Sequence, residues 1–237
     1  MGCARCDGVL TPSTPTIHED PVSIKARDHE AWDPDWITGS FVMTPACHAC
    51  GKITVLAGEH KVDYKTSLDG TWHGDYEDFF RLRAASPGIR LIDVPDRTPD
   101  DVQTAVREAA SVMWASPSSA VNGLRRAVER MLDHKRVRKT KVTTKRKRMR
   151  LTTHERIEIF RATEPDAALA LEAVKWIGNE GSHSGEVAIT DVLDGAGVLA
   201  YALDLLFGER TKAIQKQIAT INKRKGVRKP KAAGATR

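Results

Sequence analysis

Apolar residues change their spacing near Asp93. Before it they fall in short runs broken by proline; after Thr98 they recur at the three-to-four residue spacing of amphipathic helices. Ser40 to Met43 and Lys52 to Leu56 read as short strands. Residues 9–38 are polar and interrupted by Pro12, Pro15, Pro21 and Pro34, which predicts extended segments wrapping a small module. Trp32 and Trp36 are expected to pack there, because so small a module has little other apolar surface to bury. From Val62 to Ile92 the chain carries Tyr64, Trp72, Tyr76, Phe79, Phe80 and Leu82 without a helical period, and reads as a connector covering the helical part. Ile89, Leu91 and Ile92 then run extended into Pro95.

Thr98-Pro99 opens the first helix, with Asp100 and Asp101 at its positive end and a stripe of Val102, Ala105, Val106, Ala109, Val112 and Met113. Ser116-Pro117 restarts the pattern with Val121, Leu124, Val128, Met131 and Leu132, so two neighbouring helices joined by a short turn are predicted. Arg125, Arg126 and Arg130 flank that second stripe, with solvation and pairing to Glu129 as their default role. Thr152 and Glu155 form a capping box ahead of Ile157, Ile159 and Phe160. Residues 167–177 predict another helix with Leu169, Ala173, Val174 and Ile177 inward, ended by the Gly178-Asn179-Glu180-Gly181 break. A last helix spans about Asp191 to Phe207, with small residues Gly195, Ala196 and Gly197 for close approach and Gly208 for a left-handed terminus. The tail can continue as a basic helix through Ile214, Ile218 and Ile221 until Gly226 and Pro230.

The cysteines change the picture of the first part. All four fall in two pairs, Cys3-Ala-Arg-Cys6 and Cys47-His-Ala-Cys50, each followed closely by glycine. Two such turns can present four thiolates to one tetrahedral Zn2+. Two disulfides, a redox dithiol, or unlinked thiols are the alternatives. The long insert between the pairs must fold back for the zinc reading to hold. His48 reads as a solvent-facing turn residue rather than a fifth ligand.

Charge is unevenly placed. The chain has 37 Lys and Arg against 31 Asp and Glu, yet Lys135 to Arg150 holds ten bases and no acid, and Arg210 to Arg237 holds another ten. Such runs attract phosphate backbones. The first supplies Lys135, Arg136, Arg138, Lys139, Lys141, Lys145, Arg146, Lys147, Arg148 and Arg150, read as an exposed loop or irregular hairpin. Without interleaved aromatics, contact to RNA or DNA would be to the backbone rather than to bases. No signal-like stretch opens the chain and none is long enough to span a membrane, so a cytoplasmic protein without membrane contact is expected. No Walker phosphate loop, zinc-protease helix or clustered acid set is present, which argues against nucleotide hydrolysis and metal-dependent cleavage.

The most specific string is Leu171-Glu172-Ala173-Val174-Lys175-Trp176-Ile177-Gly178-Asn179-Glu180-Gly181-Ser182-His183. Asn179 and His183 are four apart and share a face if helical turns continue, a pairing able to orient a phosphate or lock a turn. With the helix from Ala120 to Leu132 and the Ile157 to Phe160 segment, this string resembles the bacterial and phage domain-of-unknown-function family numbered 4145, a helical domain of the broader HEPN class. The resemblance covers about Asp93 to Phe207, and proteins of that family often carry an N-terminal zinc ribbon. It implies a dimer in which arginine and histidine, with a polar residue after the arginine, cleave RNA through its 2′-hydroxyl. Asn179 and His183 match the polar residue and the histidine as candidate catalytic groups. Gly178 occupies the arginine position, so a cation would have to come from Arg125, Arg126 or Lys175.

The expected fold is therefore a small zinc-ribbon-like β module over residues 1–60, a connector over 61–95, a mainly α-helical HEPN-like bundle over 96–208 and a basic tail over 209–237. The expected function is noncatalytic binding of nucleic acid or of an unidentified protein partner in a bacterial or phage system, in a homodimer. The alternative is a metal-independent RNA endonuclease using His183 and Asn179.

Overall fold

The computed structural model of the protein describes residues 1–65, 74–144, 146–180 and 186–225. Trp72, Lys145, Gly181, His183, Gly226 and Pro230 lie outside the described residues. The first half consists of β1 (Leu10–Thr11), β2 (Thr16–Glu19), α1 (Pro21–Ala26), a 3-10 turn at Pro34–Trp36, β3 (Thr38–Met43), β4 (Ala46–Cys47), β5 (Val55–Lys65) and β6 (Asp75–Ser86). The second half consists of α2 (Asp100–Val112), α3 (Pro117–His134), β7 (Thr140–Val142), β8 (Arg148–Arg150), α4 (Thr153–Arg161), α5 (Pro165–Glu180), α6 (Ile189–Phe207) and α7 (Glu209–Arg224).

Strands β2, β3, β5 and β6 form one antiparallel sheet in that order, and β1 pairs with β4 beside it. Much of the segment expected to be a connector thus belongs to the β5–β6 pair, the longest strand pair among the described residues. Its alternation is hard to read because β6 faces water: Tyr76, Phe79 and Phe80 are all exposed. Phe41 lies opposite Gly58, where a Cβ would come within 2.8 Å of its ring and 2.0 Å of the Arg81 carbonyl. Glycine therefore leaves room beside the sheet for the Phe41 ring. The proline-rich stretch is less extended than its composition suggests, since it contains α1. Trp36 is 42% exposed and tilts against His29 rather than entering a core.

Two apolar clusters hold the chain. One joins Cys3, Leu10 and Cys47 to Leu56, Ala85 and Ile89. The other is the helical core, and Trp114 packs against both. In α2 the buried stripe ends with Ala110 and Met113, whereas Val112 is 36% exposed, against expectation. In α3 the stripe is as expected, with Val121, Leu124, Val128, Met131 and Leu132 buried. Burial of each such side chain contributes about 1.5–3 kcal/mol. Gly123 sits over Ala109, which sets how closely α2 and α3 approach.

Several expectations for the later helices need correction. Helix α5 starts at Pro165 and does not stop at Gly178. Its inner face is Ala167, Ala168, Leu171 and Val174, while Leu169 is 63% exposed. Gly178 stays helical because it is wedged against α3: a Cβ there would lie 2.9 Å from the Arg125 Cβ and 3.2 Å from the Val121 carbonyl oxygen. Tertiary approach overrides glycine's poor helix propensity. In α6, a Cβ at Gly195 would lie 3.4 Å from Ile177 and Leu124, whereas one at Gly197 would meet nothing. Gly208 is not left-handed; at φ −62 and ψ 126 it is extended and leads directly into α7. That helix has no buried residue, and Ile214, Ile218 and Ile221 are exposed along it.

Candidate metal centre and basic surface

The two cysteine turns are built alike. Gly2 bridges Val9 across the first and Ala46 bridges Ile53 across the second. The Cys3 amide donates to the Gly8 carbonyl at 2.9 Å, and the Cys47 amide donates to the Lys52 carbonyl at 2.8 Å. Gly51 is required at φ +67, the left-handed region that closes the second turn. Gly8 is required for space, because a Cβ would fall 2.6 Å from the Cys47 sulfur. Pairing of Leu10 with Cys47 through β1 and β4 folds the long insert back and brings the turns together. His48 is no ligand: its Nδ1 accepts from the Val9 amide at 3.0 Å and clamps one turn to the other.

The four sulfurs converge. Cys3 and Cys50 Sγ are 3.8 Å apart, Cys6 and Cys47 Sγ are 3.5 Å apart, and all four lie within 4.8 Å of one another. All four cysteines are free, at separations well beyond the ~2.05 Å of a disulfide. A tetrahedral zinc with Zn–S near ~2.3 Å demands sulfur–sulfur edges of about 3.8 Å. The cluster therefore fits a structural zinc site.

The surroundings of the thiols favour a cation there. The Cys50 amide, with that of Ala49, holds the Cys47 thiol down at about 6, against the opposing effect of burial. The Arg5 amide, which donates to Cys3 Sγ at 3.4 Å, lowers Cys3 as well. The Gly8 amide favours a Cys6 thiolate, but the surrounding thiols and burial outweigh it and push Cys6 up to about 12. The backbone amides thus favour a thiolate at Cys3 and Cys47, whereas Cys6 is opposed by its neighbours, an imbalance that a bound cation would relieve.

Arg90 ties the first cysteine turn to the segment that leads into α2. It donates to the Cys3 carbonyl at 3.1 Å, and to Asp7 and Asp93 at 2.8 and 2.7 Å. The Asp7 carboxylate, helped by Asp93, raises its already high pKa. Nothing in the spacing of Arg90 singled it out.

The basic run folds as the β7–β8 hairpin, with Thr140 opposite Arg150. Arg136 takes the left-handed position after α3, at φ 56, and the Val137 amide closes the helix end on the Leu132 carbonyl. Lys139 pairs with Asp133 at 2.7 Å and Lys141 pairs with Glu155, so these two cations are engaged internally. Lys135 lies over the Phe207 ring. Among the described residues no carboxylate pairs with Arg136, Arg138, Arg146, Lys147, Arg148 or Arg150, all of which are exposed.

Asn179 is half-buried near the end of α5, and its Oδ1 accepts from Arg125 Nη1 of α3 at 3.0 Å. Gly178, which carries no side chain, thus adjoins a guanidinium brought from another helix. Lys175 is buried one turn back, with its Nζ over the Trp176 ring. Burial lowers its pKa, Glu172 opposes that, and Arg125 adds to it. Arg126 and Arg130 instead face α2, at 3.5 Å from Glu108 and 4.0 Å from Asp101. His154, Glu158 and Glu172 form a second group of metal-ligating type. There Arg161 already reaches Glu158 and Glu172 at 2.8 and 2.6 Å, supplying the countercharge a metal would bring.

Two family models match separate parts of the chain. Residues 107–224 match the family model of the domain of unknown function DUF4145, which runs from within α2 through α7. Residues 2–83 match the domain of unknown function DUF8608, which takes in all four cysteines and most of the β5–β6 hairpin. No curated protein and no solved structure matches the chain. Among the described residues no helix is long and apolar enough to cross a membrane.

Proposed function

We propose that this is a nucleic-acid-binding protein of a bacterial or phage system, in which a HEPN-like helical body carries a zinc-stabilised β module and holds phosphate backbones without cleaving them. The observation that carries this reading is the β7–β8 hairpin with the adjoining end of α3, where six exposed arginines and lysines have no carboxylate partner among the described residues. Excess cation on a small projecting hairpin attracts polyanions and contributes little to packing. The setting is intracellular, where reduced cysteines remain available to zinc. The body acts as a homodimer, for which the exposed Ile214, Ile218 and Ile221 of α7 are the surface we would test first. Equilibrium binding of labelled single-stranded RNA and duplex DNA by the full chain tests the reading. Affinity should fall steeply with salt, and absence of binding at low salt overturns it.

A second reading is favoured by one contact. Arg125 places a guanidinium beside Asn179, where the resemblance implies an arginine and Gly178 offers none. On this reading the protein is a metal-independent RNA endonuclease using Asn179 and His183. Incubation of RNA with the wild type, Arg125→Ala and His183→Ala in the presence of a chelator decides it. Cleavage lost in both variants supports a nuclease, and no cleavage by the wild type removes it.

A further inference from the structure

Behind the basic hairpin lies a recess of about 580 Å3, bounded by α3, by the hairpin and by the first turn of α4. Its walls hold five cationic side chains, Arg125, Arg130, Lys139, Arg150 and Arg156, against the carboxylates of Glu129 and Asp133. Both carboxylates are already engaged. Asp133 accepts from Lys139 and from Arg156, each at 2.7 Å. Glu129 accepts from the Thr153 hydroxyl at 2.7 Å and lies 3.8 Å from Arg125. That leaves Arg130, whose nearest carboxylate is 4.0 Å away on α2, and Arg150, which no carboxylate pairs among the described residues.

The second observation is Arg156. Its side chain is only 8% exposed, and Nη2 is held by Asp133 and by the Val137 carbonyl. Its buried Nε has no hydrogen-bond partner. An unpaired buried donor of a charged group costs free energy unless something completes it. With both Nη2 hydrogens taken by Asp133 and Val137, the unpaired Nε–H of this fixed guanidinium is the donor left for an oxyanion. The amino end of α4 opens on the same recess, already capped by Thr152 and Glu155, so the recess relies on its cationic side chains.

We propose that this recess is a phosphate-binding pocket, and that its occupant is a phosphate of a nucleic-acid backbone lying along β7 and β8. The inference rests on the nucleic-acid reading above and locates it: the hairpin attracts, while Arg130, Arg150 and Arg156 seat one phosphate. Arg125 lines the pocket and also holds Asn179, so the seated phosphate would lie beside the Gly178-Asn179 segment.

The test uses the full chain and two probes. The first is thermal unfolding in inorganic phosphate against chloride at equal ionic strength; the second is anisotropy of a labelled single-stranded RNA. Wild type should gain a few degrees from millimolar phosphate by mass action. The surface double variant Arg130→Gln/Arg150→Gln should lose that gain and bind RNA about tenfold more weakly, a loss of roughly 1.4 kcal/mol. Arg156→Lys, which keeps the charge but lacks the Nε–H, should also lose the phosphate gain. The gain is read as the difference between phosphate and chloride for that variant, because loss of the Asp133 and Val137 bonds lowers its unfolding temperature in both. Absence of any phosphate-specific gain in the wild type overturns the pocket. A gain abolished in the double variant with unchanged RNA affinity overturns the backbone assignment in favour of free phosphate. A gain retained while wild type binds no RNA supports the pocket and overturns the nucleic-acid reading alone.

Discussion

Arg125 of α3 and Asn179 of α5 are joined by a hydrogen bond of 3.0 Å, and the residue that permits it is the glycine between Ile177 and Asn179. Gly178 lets α5 settle onto the backbone of α3 at Val121 and Arg125. The same missing side chain that removes an arginine from α5 admits one from α3.

Gly178→Ala separates packing from propensity. Alanine is better than glycine inside a helix by about 1 kcal/mol. Against that, the new methyl would lie 2.9 Å from the Arg125 Cβ and 3.2 Å from the Val121 carbonyl oxygen, neither of them the far end of a flexible chain. Overpacking of this kind costs about 1–3 kcal/mol. Net destabilisation of up to about 2 kcal/mol is expected in urea unfolding. A more stable variant would show that the helices are not in close contact there.

The Arg125–Asn179 bond can be weighed by a double-mutant cycle with Arg125→Ala and Asn179→Ala. The guanidinium is 32% exposed and also lies 3.8 Å from Glu129, so screening limits its worth. A coupling of about 1 kcal/mol is expected, read from urea midpoints of the four proteins. Additive losses would mean that each residue acts through other contacts.

What could be read in advance follows from how local each signal is. The paired cysteines, the Thr152–Glu155 capping box and the α3 stripe were legible because each is set by spacing along one short segment. The β6 strand was not, because its aromatics face water and break the alternation that marks a half-buried strand. The phase of α5 was misread at Leu169, since an alanine-rich helix offers several apolar faces and only its neighbours choose among them. Arg156 looked like any polar residue on α4. Its burial depends on Asp133 and Val137, about twenty residues upstream. Asn179 was singled out from its string and Arg125 named among three candidate cations for it, but only a contact spanning 54 residues chooses Arg125 from the three.

Zinc should be present at one ion per chain, measured by elemental analysis of purified protein. Cys47→Ser should abolish it, since Cys47 is buried at the centre of the cluster and its thiol is held down at about 6. Chelation should unfold the β module while leaving most helical circular dichroism, because the helical core is a separate apolar cluster. Zinc bound equally well by Cys47→Ser would exclude the four-sulfur site.

Acid sensitivity should depend on Glu155. The Lys141 ammonium, together with the Thr152 amide, holds its carboxylate at about 2 rather than the ordinary 4.5. A lowered carboxylate contributes fully above 4.5, and that contribution is lost as pH falls from 4.5 toward 2. Glu155→Gln keeps a capping-box residue but removes the charge. Wild type should therefore be the more stable at neutral pH, and the two urea-midpoint curves should converge on acidification. Parallel curves across that window would mean that the pairing contributes nothing to folding.

The hairpin itself is tested by salt. Arg146, Lys147 and Arg148 are exposed, and no carboxylate pairs with them among the described residues, so each is available to a phosphate. Each phosphate neutralised on a single strand steepens the dependence of log affinity on log salt by about 0.7. Replacing all three by glutamine should weaken RNA binding at low salt and flatten that slope by about 2. Because the three lie outside both apolar clusters, the unfolding temperature should be unchanged within the scatter expected of surface substitutions. A slope equal to that of the wild type would move the contact surface away from β7 and β8.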